Sequence, residues 1–263
     1  MITLVQFPRG MGVPNPSPFC MKAEIMLKMA GQQYEIEELI DPRKSPKSKL
    51  PYIRDNGAEI ADSSLIQQHL EQSYAADFFP DCNKAQEATG HAIARMCEER
   101  LYQVIVYSRW IDENNWSTIR QFWFGSLPPI IRNIVPSIAQ KGVVKAQQGH
   151  GIGRHSGKEI YAMGCKDIQA LADILGEQPY ILGDNPTAAD ATAYSHIENC
   201  LVDDIPSPLL NEAQRHENLV AYRDRCRALW FADLEGDRCC QRKAGLKNLR
   251  AQNRQWLNGL IKM

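Results

Sequence analysis

Ser17-Pro18-Phe19-Cys20-Met21-Lys22-Ala23-Glu24-Ile25-Met26-Leu27-Lys28-Met29-Ala30-Gly31 reads as a capped amphipathic helix that follows a short apolar strand. Ser17 is a favoured N-cap, and Pro18 falls at the first helical position, where a missing N–H is no loss. Ala23, Met26, Leu27 and Ala30 recur at helical spacing, and Gly31 suits the position just past a helix end. A helix start carries unpaired N–H groups and partial positive charge, so it favours a thiolate or another anion. Two readings of the stretch follow. In one, Ser17 is only a cap and Cys20 only a small buried hydrophobe; in the other, both stand at an anion-binding site.

Outward from this helix, residues 1–78 alternate strand and helix. Ile2–Phe7, Tyr34–Leu39, Pro51–Arg54 and Glu59–Ala61 are expected as strands, and a helix is expected from Asp62. The Asn56-Gly57 pair between the last two strands is a hairpin signal. After Pro80 the pattern turns helical, so residues 84–263 are expected to be an all-α domain. Lys84 to Trp110 reads as one long helix, and a proline-bearing aromatic stretch runs from Trp116 to Pro136. Ser156 with Glu159, and Thr187 with Asp190, form capping-box patterns that start two more helices. The fold class is therefore α/β plus all-α.

Composition narrows the function classes. The 263 residues are 44% hydrophobic and 23% charged, with a net charge of −1, which gives no general attraction to nucleic acid. The charge is uneven: residues 236–263 hold seven basic side chains against Asp237 alone, leaving the preceding residues at −7. Leu246, Leu249, Trp256, Leu257, Leu260 and Ile261 recur in that tail at helix-like spacing, and we expect it to dock on the acidic body rather than on a membrane. There is no signal-peptide pattern and no apolar run long enough to span a bilayer, so the eight cysteines are expected as free thiols in the cytoplasm. No Cys or His spacing suits a metal, and none is assigned.

Three short motifs can converge on one peptide-like thiol ligand. Ser17 offers a hydroxyl at a helix start. Leu50-Pro51 offers backbone for an extended peptide to pair with, particularly across a cis bond. Asp62-Ser63 offers an acid for an ammonium group, and a hydroxyl with helix-start N–H groups for a carboxylate. Ser17-Pro18-Phe19-Cys20 resembles the Cys-Pro-Phe-Cys of glutaredoxins with Ser in the first place. Lys49-Leu50-Pro51-Tyr52-Ile53 and Ile60-Ala61-Asp62-Ser63-Ser64-Leu65-Ile66 resemble the cis-proline and glutathione-binding signatures of the glutathione S-transferase superfamily. Leu182-Gly183-Asp184-Asn185-Pro186-Thr187-Ala188-Ala189-Asp190 is similar to the capping box of that superfamily's helical domain. Gly151-Ile152-Gly153-Arg154-His155-Ser156 resembles the branch of failed axon connections and metaxin proteins.

The resemblance implies a thioredoxin-like N-terminal domain, a helical glutathione-transferase C-terminal domain and a homodimer. It implies glutathione as cosubstrate and a small apolar electrophile as substrate, a detoxification chemistry. Carried over by motif, Ser17 is the thiol-activating hydroxyl and Cys20 a thiol able to form a mixed disulfide. Phe19, Lys49, Leu50, Pro51, Asp62 and Ser63 would surround glutathione. Tyr107 and Trp110, late in the first long helix, are expected in the substrate cleft, with packing in the core as the alternative. Asp62 stands where many members have Glu or Gln. The same resemblance allows a non-catalytic protein of this fold that acts through partners or membranes.

Overall fold

The computed structural model describes residues 1–237; the expected amphipathic tail lies outside the described residues. The N-terminal part runs β1 (Ile2–Gln6), α1 (Pro18–Met29), β2 (Tyr34–Glu38), β3 (Tyr52–Asp55), β4 (Ala58–Ala61) and α2 (Ser63–Tyr74). The sheet has the order β2-β1-β3-β4, with β1 parallel to β2 and antiparallel to β3, and β3 antiparallel to β4. Helical segments alone follow: α3 (Lys84–Arg95), α4 (Tyr102–Trp110), α5 (Glu113–Phe124), α6 (Pro129–His150), α7 (Gly157–Leu175), α8 (Ala188–Cys200), α9 (Pro208–Arg215) and α10 (Glu217–Phe231). This is a thioredoxin-like domain joined to a helical one, as the motifs predict.

Local chemistry accounts for the element ends. Ser17 caps α1 with Pro18 at N1, Ser156 and Thr187 form the expected capping boxes of α7 and α8, and Asn56 and Gly57 turn the β3–β4 hairpin at φ 48° and 83°. The long helix from Lys84 to Trp110 is interrupted by a π-helical turn, Met96–Leu101. That turn carries Glu98, whose carboxylate meets Lys22 Nζ of α1 at 2.7 Å with both side chains buried. A residue inserted into a helix re-aims the side chains around it, which no periodicity count reveals. The stretch from Trp116 to Pro136 resolves into α5 and the first part of α6, which tolerates Pro136 inside it.

α8 is the structural centre, with every residue from Ala188 to Cys200 buried between α1 and the rest of the helical domain. Its small side chains permit that close approach. His196 is fully buried there. Its Nδ1–H donates to the Thr192 carbonyl at 2.8 Å, and Nε2 has no partner. Burial holds the imidazole down to about 4, with Glu98 and Lys22 acting on it in opposite directions. A base depressed on folding gives stability that is present above its unfolded pKa, 6.5, and is lost as pH falls through about 4. Urea unfolding is therefore expected to show a loss reaching about 3 kcal/mol over that window. His196→Gln is expected to flatten this component; an unchanged pH dependence in that variant would refute the assignment.

Candidate active site

The loop from β1 to α1 fixes Ser17. Asn15 is fully buried, its Nδ2 donates to the Phe7 carbonyl at 2.7 Å, and its Oδ1 accepts the Ser17 N–H at 3.0 Å. Ser17 is extended (φ −104°, ψ 117°) and half-buried, and its Oγ accepts the Cys20 N–H at 3.4 Å. The cap uses an oxygen lone pair, so the hydroxyl proton remains available for a ligand.

The other two motifs arrive through the sheet. The Leu50–Pro51 peptide bond is cis, and β3 and β4 pair from Tyr52–Ala61 onward, so Pro51 and Asp62 sit opposite each other at the hairpin's open end. The Asp62 N–H approaches the Pro51 carbonyl at 3.5 Å. Asp62 itself has φ 97° and ψ 131°, a region that costs a side-chain-bearing residue about 1–3 kcal/mol and recurs at ligand sites. Its exposed carboxylate accepts the Ser64 N–H at 2.8 Å and so caps α2, while Ser63 is buried at the first helical position. Val5, Cys20, Leu50, Tyr52 and Ala61 form one apolar cluster beneath these groups. That cluster ties the start of α1, the cis-proline segment and the start of α2 into one surface.

Individual residues divide. Cys20 is fully buried in the cluster, and burial pushes its thiol up to about 12, outweighing donation from the Phe7 N–H and the Ser17 contact. Burial thus disfavours the thiolate, the form that a nucleophile or an exchange partner needs. Cys20→Ala is accordingly expected to cost about 1 kcal/mol of stability, read by urea unfolding. The Phe19 ring turns toward the helical domain, edge-on to Tyr102 at 4.7 Å and to His196 at 5.9 Å. Lys49 is exposed, with the Ser45 hydroxyl 2.6 Å from its carbonyl. Lys47 went unnoticed in the sequence: its Nζ donates to the Ala61 carbonyl at 3.1 Å and sets a cation one residue from Asp62. Lys44, Lys47 and Lys49 stand close together in the sequence, and only the fold of the loop selects among them.

A cavity of about 530 Å³ opens between the two domains, walled by Phe7, Trp110, Trp123, Phe124, Leu127 and Ile138, with Asp41 and Arg43 also lining it. Trp110 lines it. Tyr107 does not: its ring is edge-on to Tyr161 at 5.5 Å and its hydroxyl abuts Gly157. Three residues apart, the two are offset by about 60° round the helix axis, and they meet different neighbours. Phe7 joins the cavity to Ser17, because its ring meets Trp123 at 5.2 Å while its carbonyl holds Asn15. Gly10 admits this arrangement, since a Cβ there would lie 2.5 Å from the Phe122 ring.

Comparison with known proteins agrees with this geometry. Residues 18–115 match the family model of the glutathione S-transferase N-terminal domain, and residues 164–226 that of the C-terminal domain. The isoprene-epoxide–glutathione S-transferase of Rhodococcus sp. (strain AD45) is 31% identical, with 86% of this chain and 98% of that protein aligned. Failed axon connections of Drosophila melanogaster is also 31% identical over 89% of this chain and 59% of its own length. Mouse Metaxin-1 is 28% identical over 84% and 73%. A glutathione S-transferase from Methylobacterium radiotolerans, solved with glutathione sulfonate, superposes with a TM-score of 0.56 at 20% identity, covering 88% of this chain and 93% of that one. Two domain models in their expected order, and a relative matched along nearly its whole length, place the chain in the glutathione S-transferase family.

Proposed function

We propose that the protein binds glutathione across the starts of α1 and α2 and activates its thiol for attack on an apolar electrophile held in the interdomain cavity. The observation that carries this reading is the convergence of the Ser17 hydroxyl, the cis Leu50–Pro51 segment and Asp62 on one surface, with Phe7 leading from it to an aromatic-walled cavity. The Leu50 backbone would pair with the extended tripeptide, and Asp62 and Ser63 would hold its γ-glutamyl end. The Ser17 O–H and the α1 N–H groups would stabilise the thiolate; lowering a thiol pKa by one to two units asks for about 1.4–2.7 kcal/mol. The thiol proton leaves to solvent, the thiolate lone pair forms the new carbon–sulfur bond, and the leaving group or opened epoxide oxygen takes the displaced electron pair. A transferase of this class in the cytoplasm, acting as a homodimer, is the full form of the proposal. Titration calorimetry with millimolar glutathione is expected to show saturable binding, and no heat of binding would sink the reading.

A second reading is favoured by one feature, the outer face of α6. Ile130 and Ile134 are 77% and 55% exposed there, and the helix carries Arg132, Lys141 and Lys145 with no acidic residue. An apolar ridge flanked only by cations suits an anionic lipid surface. A role in membrane contact, rather than catalysis, predicts co-sedimentation of the full chain with anionic but not neutral vesicles, reduced by Ile134→Ser.

A further inference from the structure

We propose that the helical domain sets the reactivity of the Ser17 site through Arg109, a positioning residue whose buried charge also adds to the positive potential at the start of α1. The inference rests on the glutathione-activating reading above, and concerns residues that no motif marks.

The loop ahead of Ser17 is held by its carbonyls. Arg109 Nη1 of α4 donates to Pro16 O at 2.6 Å, Asn199 Nδ2 of α8 approaches Asn15 O at 3.3 Å, and Arg227 of α10 reaches Gly12 O at 3.3 Å with both Nη atoms. Arg9 Nη1 holds Pro14 O at 2.9 Å from within the loop itself. Three of these four clamps come from the helical domain. Arg109 and Asn199 are also locked together, since Arg109 Nη2 donates to the Asn199 carbonyl at 3.0 Å and to its Oδ1 at 2.8 Å. Asn15 passes the constraint on through its bond to the Ser17 N–H.

Charge makes Arg109 unusual. Arg9 and Arg227 are paired with the buried carboxylates of Glu24 and Glu198. Arg109 is buried, and among the described residues it has no carboxylate partner; the oxygens of Pro16 and Asn199 that it donates to are all amide oxygens. An uncompensated buried cation is costly in a medium of low dielectric, and the same medium strengthens its field on any anion nearby. Its nearest acceptor is one residue from Ser17. A thiolate formed against the start of α1 would lie on the positive side of the aligned peptide dipoles and of this charge together.

The test compares folded variants, verified by circular dichroism and melting, with the pH titration of bound glutathione read by ultraviolet thiolate absorbance. Arg109→Gln is expected to raise the bound-thiol pKa by about one unit and to lower kcat/KM about tenfold near neutral pH, with glutathione Kd changed less than about threefold. Arg109→Lys keeps the cation but loses the fork onto Pro16 and Asn199. It is expected to restore most of the pKa shift while kcat stays about threefold low. Asn199→Ala carries the test if Arg109→Gln does not fold, with an expected loss of about threefold to tenfold in kcat and a raised bound-thiol pKa. An unchanged bound-thiol pKa and kcat in whichever of these two variants folds overturns the inference. Absence of glutathione binding to the unaltered protein, by contrast, is failure of the underlying functional reading.

Discussion

Replacing Ser17 with alanine is expected to lower kcat/KM for thiol conjugation about 10- to 100-fold at neutral pH, the worth of one charge-assisted hydrogen bond of about 1.5–3 kcal/mol. The pH–rate profile should identify the cause. Losing the donor raises the pKa of the bound thiol, so activity should recover as the pH approaches that of a free thiol, and Ser17→Thr should retain most of it. Ser17 also caps α1, so Ser17→Ala should cost about 1 kcal/mol of stability, which urea unfolding separates from the catalytic loss. An equal or larger catalytic loss from Cys20→Ala would transfer the role from the hydroxyl to the thiol. The burial of Cys20 argues that it will not.

Asp190→Ala is expected to be the most destabilising single change discussed, at about 3–5 kcal/mol and a fall in Tm on the order of 10 °C. The Asp190 carboxylate is fully buried and accepts four donors: Ile181 N–H at 2.8 Å, Thr187 N–H at 2.8 Å, Thr187 Oγ1–H at 2.9 Å and the Tyr222 hydroxyl at 3.1 Å. Truncation leaves three buried donors unpaired and the Tyr222 hydroxyl with only a 3.4 Å contact to the Asp190 carbonyl, and an unsatisfied buried group costs more than its hydrogen bond contributed. The same carboxylate ties the start of α8 to the preceding loop and to α10. Loss of the cap therefore loosens the helix on which α1 and Asn199 rest. Tyr222→Phe removes one donor without leaving it orphaned and should cost about 1 kcal/mol. Melting of the three proteins checks the order; an Asp190→Ala protein as stable as the parent would refute it.

What could be read in advance was whatever depends on near neighbours in the chain. Ser17-Pro18 and Thr187 to Asp190 announce helix starts because a cap is made within four residues, and Asn56-Gly57 announces a hairpin because only its own backbone must adopt positive φ. The motifs Ser17, Leu50-Pro51 and Asp62-Ser63 were also legible, since each stands at the end of a recognisable element of one small α/β unit. Lys47, Arg109 and Asn199 were not. A lysine among three, a lone arginine at a helix end and an asparagine in an apolar helix carry no local signature, and their partners lie 14 to 184 residues away.

Direction of side chains was the other limit. Helical spacing put Tyr107 and Trp110 together, yet one packs on Tyr161 and the other lines the cavity. The π turn at Met96–Leu101 is equally invisible to a period count, although it brings Glu98 to Lys22. By itself, then, the sequence determined the N-terminal strands and helices, the caps of three helices, the pairing of a thioredoxin-like domain with a helical one, and the three motifs proposed to hold glutathione, because each arises from short-range sterics and hydrogen bonding. The tertiary structure alone decided that Cys20 is sealed in a core, that Phe7 leads to an aromatic cavity, and that the helical domain grips the carbonyls ahead of Ser17. Burial, field and fit depend on surfaces brought together from distant parts of the chain.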